Sequence, residues 1–164
     1  MASVGSNNLY HIDEGILKED AFIVIVKTEW NADIVDELEA GCLKVLHKYG
    51  IKVQKILVPG CVEIPFTIKR HWDKSWEGGI LPDAYIALGC VVKGDTPHFD
   101  YVCKMVSEGI LQLNLNLQAP TIFGVLTVNN KEQALERIGG KHGHKGEEAA
   151  ITTLKMISLL PITE

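Results

Sequence analysis

The chain has 164 residues, 46% of them hydrophobic and 23% charged, with a formal net charge of −5. This length suits a single domain that buries its own core, and the mixed, slightly acidic charge argues against a nucleic-acid-binding surface. No apolar run is long enough to span a bilayer, and residues 1–20 lack the basic start and apolar core of a secretory signal. We therefore expect a cytoplasmic protein that does not bind nucleic acid or membrane, with a small-molecule or protein partner.

The predicted elements alternate between strands and helices along the whole chain. Residues 21–26 (AFIVIV) are continuously apolar and β-branched, as in a parallel strand buried on both faces. A helix then follows over about 34–49, where apolar residues recur at helical spacing up to Gly50. The later strands are predicted at 51–58, 84–88 and 121–126, and the later helices at 63–77, 98–117, about 131–138 and about 145–160.

This alternation predicts an α/β fold with a four-stranded parallel sheet and right-handed crossovers. We expect a three-layer α/β/α sandwich of flavodoxin-like organisation. The domain is expected to span residues 21–164, and residues 1–20 are expected to form a polar tail able to pair with the sheet edge of a neighbouring subunit.

In a parallel sheet the strand-to-helix loops share one edge, where ligands usually bind. Trp30 follows the first strand, and an exposed indole there suits an aromatic ligand, although packing on its own helix is an equal alternative. After the second strand, residues 59–63 (PGCVE) offer backbone donors and the Glu63 carboxylate for a polyol or heterocyclic amide. Glu63 is equally suited to stabilising the first turn of its helix.

The loop 89–98 (GCVVKGDTPH) holds the densest group of polar residues. Gly94, Asp95 and Thr96 precede a helix, and this arrangement suits phosphate binding. His98 is a candidate proton carrier because the pKa of histidine lies near neutrality. The alternatives are a surface turn and a helix-entry histidine without chemistry. Neither a Walker loop nor a GxGxxG motif is present.

Arg137 and the segment 139–146 (GGKHGHKG) form a basic, glycine-rich joint between two helices. The joint can bind an anion or be an ordinary solvated turn. His142 and His144 have no carboxylate or cysteine beside them, so metal binding is disfavoured. The four cysteines are widely spaced without a CxxC pair and are expected to be reduced and mostly buried; they are Cys42, Cys61, Cys90 and Cys103.

Three blocks of the sequence resemble the lumazine synthase family in the same order. They are VPGCVEIP at 58–65, ALGCVVKGDTPHFDYV at 87–102 and FGVLTVNNKEQALERIGGKHGHKGEEAA at 123–150. The resemblance implies a transferase that condenses 5-amino-6-ribitylaminouracil with 3,4-dihydroxy-2-butanone 4-phosphate to 6,7-dimethyl-8-ribityllumazine. Phosphate and water are released, and no cofactor or metal is used. This is the penultimate step of riboflavin biosynthesis.

The resemblance also implies roles for individual residues. Trp30 matches the aromatic residue that stacks on the pyrimidine, and His98 matches the acid/base. The ribityl chain is implied to bind at Cys61, Val62 and Glu63. The pocket lining is implied to be Val91, Val92 and Lys93. The phosphate is implied to bind at Gly94, Asp95, Thr96 and Arg137.

In the family each site is shared between adjacent subunits of a pentamer, so Phe123, Arg137 and Lys145 are implied to act in the neighbouring site. Pentamers of this family either stand alone or build a shell of sixty chains, and riboflavin synthase is a possible partner. The joint at 139–146 has no insertion, which favours the shell. We also considered a non-catalytic flavin or lumazine carrier and a structural cage.

Three positions depart from the family pattern. Val62 replaces a frequent aromatic residue, so part of the ribityl contact must come from backbone. Asp95 stands where alanine or glutamate is usual, and we expect its amide to face the phosphate while its carboxylate points away. His144 replaces a common asparagine, which weakens the inference about assembly.

Overall fold

The computed structural model describes residues 20–159 of the chain. The tail predicted at 1–20 therefore lies almost wholly outside the described residues, as does the predicted end of the last helix. The elements in chain order are β1 (Phe22–Thr28), α1 (Ala32–Lys48), β2 (Lys52–Val58), α2 (Glu63–Trp76), β3 (Ala84–Val92), α3 (His98–Asn116), β4 (Thr121–Val128), α4 (Lys131–Leu135), β5 (Ile138–Gly140), β6 (Gly143–His144) and α5 (Lys145–Ser158).

The main sheet contains four parallel strands in the order β2-β1-β3-β4. The predicted α/β class and four-stranded parallel sheet are confirmed. Strand order reverses between β1 and β3, because β2 is added on one side of β1 and β3 on the other. In sheets of this kind the crevice at such a reversal is the usual place for a ligand.

Two hydrophobic cores lie on opposite faces of the sheet. Ile25 and Leu88 point into the core that α1 and α5 cover, whereas Val26 and Ala87 point into the core that α2 and α3 cover. Adjacent residues of β1 and β3 thus alternate between the two cores, as the period of a strand requires. This arrangement explains the continuous apolar runs and confirms the three-layer sandwich.

Three strands, β1, β3 and β4, extend further than predicted. β1 continues through Lys27 and Thr28, because Lys27 forms ion pairs with acidic residues of α1 and Thr28 is buried. β3 continues to Val92, because its pairing with β4 persists up to Val128. Residues 89–92, predicted as loop, are therefore strand, and the true loop begins at Lys93.

The prediction of a helix over about 131–138 is wrong in its second half. α4 ends at Leu135, and β5 and β6 form a small antiparallel hairpin before α5. Gly139 and Gly143 have φ values of 113° and 75°, which favour glycine and allow the chain to turn here. The joint predicted at 139–146 is therefore a hairpin that delivers the chain into α5.

The helices α1 and α5 cross at very close range. A Cβ atom at Gly146 would lie 2.0 Å from the carbonyl oxygen of Leu38, and one at Gly41 would meet the His144 ring at 2.1 Å. Glycine at both positions therefore allows this packing. None of the described helices has the length and apolar character needed to cross a membrane.

Candidate active site

Three strand ends are joined by hydrogen bonds at the carboxyl edge of the sheet. Glu29 N donates to Val58 O at 2.8 Å and Trp30 N donates to Pro59 O at 3.2 Å, which ties the loop after β1 to the loop after β2. Asn31 Nδ2 donates to Cys90 O at 2.8 Å, which ties it to β3. The loops after β1 and β2 and the end of β3 therefore form one connected surface.

Close packing at Gly89 brings β1, β3 and the loop after β2 together at the same edge. A Cβ atom there would lie 2.6 Å from Cys61 Sγ and 3.3 Å from Thr28 Cγ2. Cys61 is buried, and that burial is the main reason why its thiol pKa rises to about 12. An uncharged thiol at neutral pH is a poor nucleophile, so Cys61 contributes backbone and volume here rather than covalent chemistry.

Trp30 projects from this surface. Its side chain is 75% exposed, so the alternative in which the indole packs on its own helix is wrong. Thr28 Oγ1 donates to Trp30 O at 3.1 Å, and Thr28 itself is buried. An exposed aromatic ring on a firmly bonded turn is well placed to stack on a planar ligand.

The start of α2 brings a carboxylate to the same edge. Val62 is the N-cap residue and is half-buried, and Glu63 is exposed in the first helical turn. A Cβ atom at Gly60 would lie 3.0 Å from Glu63 Oε2, so the carboxylate lies over the loop rather than along the helix. It is available to accept hydrogen bonds from hydroxyl or amide groups of a ligand.

The end of β3 and the start of α3 frame an exposed loop. Val91 and Val92 are the last two residues of β3, and both are half-buried. Lys93 N donates to Val128 O at 2.8 Å. Residues 94–96 are exposed and lead directly to His98, the first residue of a 19-residue helix, which is also exposed. The positive end of the helix dipole thus faces a polar loop, a suitable setting for an anion.

Three predicted site residues are not joined to this surface. Phe123 is 39% exposed in β4, five positions before the strand end at Val128, which corresponds to roughly 16 Å. Arg137 Nη1 donates to Gln133 O at 2.7 Å, and Lys145 Nζ donates to Glu148 at 2.7 Å. Within residues 20–159 no hydrogen bond or ion pair connects these three residues to the loops after β1, β2 and β3.

The sequence model of the 6,7-dimethyl-8-ribityllumazine synthase family matches residues 20–161. The chain belongs to this family. The match covers every strand and helix described above, together with the connected surface.

Individual relatives agree with this family assignment. The 6,7-dimethyl-8-ribityllumazine synthase of Cytophaga hutchinsonii is 49% identical over 137 residues, which cover 82% of this chain and 83% of the relative. That of Bacteroides fragilis is 48% identical, with 83% of this chain and 94% of the relative covered. That of Christiangramia forsetii is 41% identical over 164 residues and covers 97% of this chain and 95% of the relative.

Two residues of the connected surface were missed by the sequence reasoning, namely Thr28 and Asn31. Both form side-chain hydrogen bonds that shape the turn bearing Trp30. An asparagine directly before a helix usually suggests an N-cap, so the sequence pattern indicated a local role. The contact with Cys90, 59 positions away, could be found only in the folded chain.

The basic joint shows no arrangement for a metal ion. His144 Nδ1 accepts a hydrogen bond from Glu147 N at 3.4 Å and caps α5, while His142 Nε2 lies 3.6 Å from Glu136. Across residues 20–159 no group of three or more His, Cys, Asp or Glu side chains is placed to bind a metal.

A separate groove of about 460 Å³ lies between α2 and α3 at their carboxyl ends, and thus at the opposite edge of the sheet. It is lined by Arg70, Trp72, Asp73, Trp76, Glu77, Asn116 and Gln118. No site was predicted there from the sequence. Its position separates it from the loops that carry Trp30 and His98.

Proposed function

We propose that the protein condenses 5-amino-6-ribitylaminouracil with 3,4-dihydroxy-2-butanone 4-phosphate to form 6,7-dimethyl-8-ribityllumazine, releasing phosphate and water. This is a transferase reaction of riboflavin biosynthesis that needs no cofactor, and we place it in the cytoplasm. The observation that carries the proposal is the connected surface at the carboxyl edge, where an exposed indole, a carboxylate and a helix N-terminus follow three strand ends that hydrogen bonds join.

The uracil substrate is proposed to bind at the first two loops. Its planar ring stacks on Trp30, because the exposed indole offers a large apolar face. The ribityl hydroxyls bind the Glu63 carboxylate and the backbone at Cys61 and Val62. The small side chain of Val62 leaves this contact mainly to the backbone. The pocket lining is assigned to Val91, Val92 and Lys93.

The phosphate of the second substrate is proposed to bind at the start of α3. The backbone amides of Gly94, Asp95 and Thr96 and the helix dipole favour an anion. The carboxylate of Asp95 points away in this arrangement, because a second negative charge there would oppose binding. Arg137 completes the phosphate site, since its guanidinium can form paired hydrogen bonds with phosphate oxygens.

Positioning is the main contribution of the protein to the reaction. Holding the phosphate places the ketone beside the 5-amino group of the uracil, so that imine formation becomes effectively intramolecular. Elimination of phosphate and ring closure then require proton transfers. His98 is exposed beside the phosphate loop and is the proposed acid/base. Such a group contributes roughly 10²- to 10⁴-fold to the rate.

The site is proposed to be shared between subunits. Phe123, Arg137 and Lys145 have no bonded contact with the connected surface within residues 20–159, so their participation requires a neighbouring copy. We propose a pentamer, with a shell of sixty chains as its further assembly and riboflavin synthase as a possible partner. A dissociated monomer is then inactive, and native mass measurement combined with activity across a dilution series checks this.

The proposed domain spans residues 21–164, with residues 1–20 adding a strand to a neighbouring sheet. Support comes from β2, which is an edge strand of the main sheet and has Leu57 56% exposed. A variant lacking residues 2–19 should fold but associate less tightly. Unchanged association on native mass measurement would contradict this role.

The test of the proposed function is formation of lumazine fluorescence when the protein is incubated with both substrates. A fluorescent product appears if the protein is the synthase, whereas a carrier or a structural cage gives none.

His98→Ala should slow turnover by about 10²-fold or more but retain the inhibition constant for inorganic phosphate. Arg137→Ala should abolish inhibition by inorganic phosphate. Arg70→Ala, in the separate groove, is the matched control and should retain both properties. Full activity of both His98→Ala and Arg137→Ala would contradict the proposed mechanism.

A further inference from the structure

The turn formed by residues 28–31, here called the Trp30 turn, holds an exposed ring on a strongly bonded backbone. Trp30 N donates to Pro59 O at 3.2 Å, and Trp30 O accepts from Thr28 Oγ1 at 3.1 Å. The indole itself is 75% exposed. Its position is therefore set by the backbone of the turn rather than by packing of the ring.

Asn31 ends the Trp30 turn in an unusual conformation. Its φ and ψ are 57° and 41°, in the left-handed region that asparagine tolerates better than most residues. Its backbone carbonyl accepts bonds from Ile34 N and Val35 N, yet its side chain makes no capping bond to α1. By contrast, Asn130 caps α4 in the ordinary way by accepting from Gln133 N at 3.0 Å.

The side-chain amide of Asn31 instead donates to Cys90 O at 2.8 Å. Pairing between β1 and β3 ends at Lys27 and Leu88, while β3 continues along β4 to Val92. The amide thus spans the gap where the two strands separate. This gap is also the point where the strand order reverses and where ligands usually bind in such sheets.

We propose that Asn31 is a positioning residue that fixes the Trp30 turn to β3. The bond to Cys90 holds the indole at a set height and angle relative to Val91 and Val92, the two residues that follow on β3. The uracil ring then stacks on a platform that is already ordered, so less conformational freedom is lost on binding. This role rests on the proposed function, in which Trp30 stacks on the uracil, and Asn31 acts through Trp30.

Two substitutions of Asn31 remove the bond without requiring a new backbone conformation. Asn31→Gly keeps the positive φ at no steric cost and removes the donor. Asn31→Asp keeps the shape but places a carboxylate, which cannot donate, against the Cys90 carbonyl. The matched control is Asn114→Asp at the opposite edge, where Asn114 Nδ2 donates to Thr121 O at 2.9 Å. Like the substitutions of Asn31, this control removes a side-chain amide donor that bonds to a backbone carbonyl of a strand.

We expect Asn31→Gly to raise the KM for the aminouracil by about 3- to 10-fold, the range set by one net hydrogen bond. The KM for the butanone phosphate should stay the same, and Asn31→Asp should show a larger rise of the same kind. Asn114→Asp should lower the thermal midpoint without changing either KM. If all three variants changed both KM values alike, the role of Asn31 would be merely structural.

A double-mutant cycle tests whether Asn31 acts through Trp30. In a Trp30→Ala background, Asn31→Gly should raise the KM for the aminouracil by less than about 2-fold, because the platform is already absent. A further rise as large as that in the parent protein would overturn the proposal, since it would show a contribution independent of Trp30.

Motion of the indole can be measured without substrate. In a Trp72→Phe/Trp76→Phe background Trp30 is the one remaining tryptophan of the chain, and its time-resolved fluorescence anisotropy reports local ring motion. Asn31→Gly should increase the fast local component, and Asn114→Asp should not. Unchanged ring motion in Asn31→Gly would overturn the positioning role. A wild-type protein that makes no lumazine overturns the proposed function, whereas an active wild type unaffected by Asn31→Gly overturns only this inference.

Discussion

Glu39 on α1 is the acidic centre of an ion-pair network that joins α1 to the first two strands. Its carboxylate accepts a hydrogen bond from Lys27 Nζ on β1, and Lys55 Nζ on β2 lies 3.1 Å from its Oε1. Lys27 also donates to Asp36 at 2.7 Å. Burial by itself would lower the pKa of Lys27, but the hydrogen bonds to Asp36 and Glu39 outweigh that effect and raise the pKa above its usual value.

Replacing Glu39 by leucine should destabilise the protein strongly. The side chains of Lys27 and Glu39 are 16% and 10% exposed, so the substitution removes the more buried of the two carboxylates that pair with a largely buried ammonium. Removing one partner of a buried pair costs about 3–5 kcal/mol, and we expect about 2–4 kcal/mol because Asp36 remains. For a chain of this size that loss corresponds to a fall of about 4–16 °C in Tm.

The double variant Lys27→Met/Glu39→Leu removes both charges together. It leaves no buried ammonium unpaired, and apolar replacements of a buried pair are often neutral, so its stability should lie within about 1 kcal/mol of wild type. The double variant should therefore be more stable than Glu39→Leu alone. Thermal unfolding followed by circular dichroism measures this at one fixed protein concentration, because subunit association makes Tm depend on concentration.

The matched control is Asp73→Asn in the exposed pair between Lys69 and Asp73 on α2. These side chains are 52% and 41% exposed and lie 2.6 Å apart, and such pairs contribute about 0.5 kcal/mol or less. If Glu39→Leu cost no more than this control, or if the double variant were as unstable as Glu39→Leu, the reasoning from a largely buried ammonium that loses Glu39 would be refuted.

Two further predictions concern buried contacts elsewhere in the sandwich. Burial lowers the pKa of His71 below 6.5, and its Nδ1 lies 2.8 Å from the hydroxyl of the buried Tyr85. The unfolded chain therefore binds more protons, so stability should fall as the pH drops from about 6.5 towards the lowered pKa, and Tm measured across this range should fall less in His71→Gln. Gly146→Ala places a Cβ atom 2.0 Å from the Leu38 carbonyl and should cost about 2 kcal/mol or more. Gly94→Ala meets nothing within 4 Å and serves as its stability control in the same thermal measurement.

The strand interiors could be predicted from the sequence because β1 and β3 are buried on both faces. Val24 and Ile25 point to opposite cores, and neither is exposed. Because both faces of the strand are buried, its residues form a continuous apolar run. The strand ends could not be predicted in this way. The sequence pattern predicts that Lys27 begins a loop. Its ion pairs with Asp36 and Glu39 of α1, which accompany its place in β1, are known only from the folded chain.

The hairpin before α5 shows the same limit. The apolar pattern continues to Ile138, yet the backbone leaves the helix after Leu135, and Lys145 N donates to Arg137 O at 2.8 Å. That bond depends on how β5 and β6 pair beside α1, which a local pattern does not contain.

The sequence by itself determined the layered α/β fold and the edge at which Trp30, Glu63 and His98 lie, because parallel strands bring their carboxyl ends to one side. Only the tertiary structure showed that Trp30 is exposed and that Asn31 bonds to β3 instead of capping its own helix. The physical reason is the distance along the sequence over which each interaction acts. The periodic burial of a helix or strand determines the types of neighbouring residues, so it can be recognised in the local sequence. A hydrogen bond between residues 59 positions apart exists only once the sheet has formed.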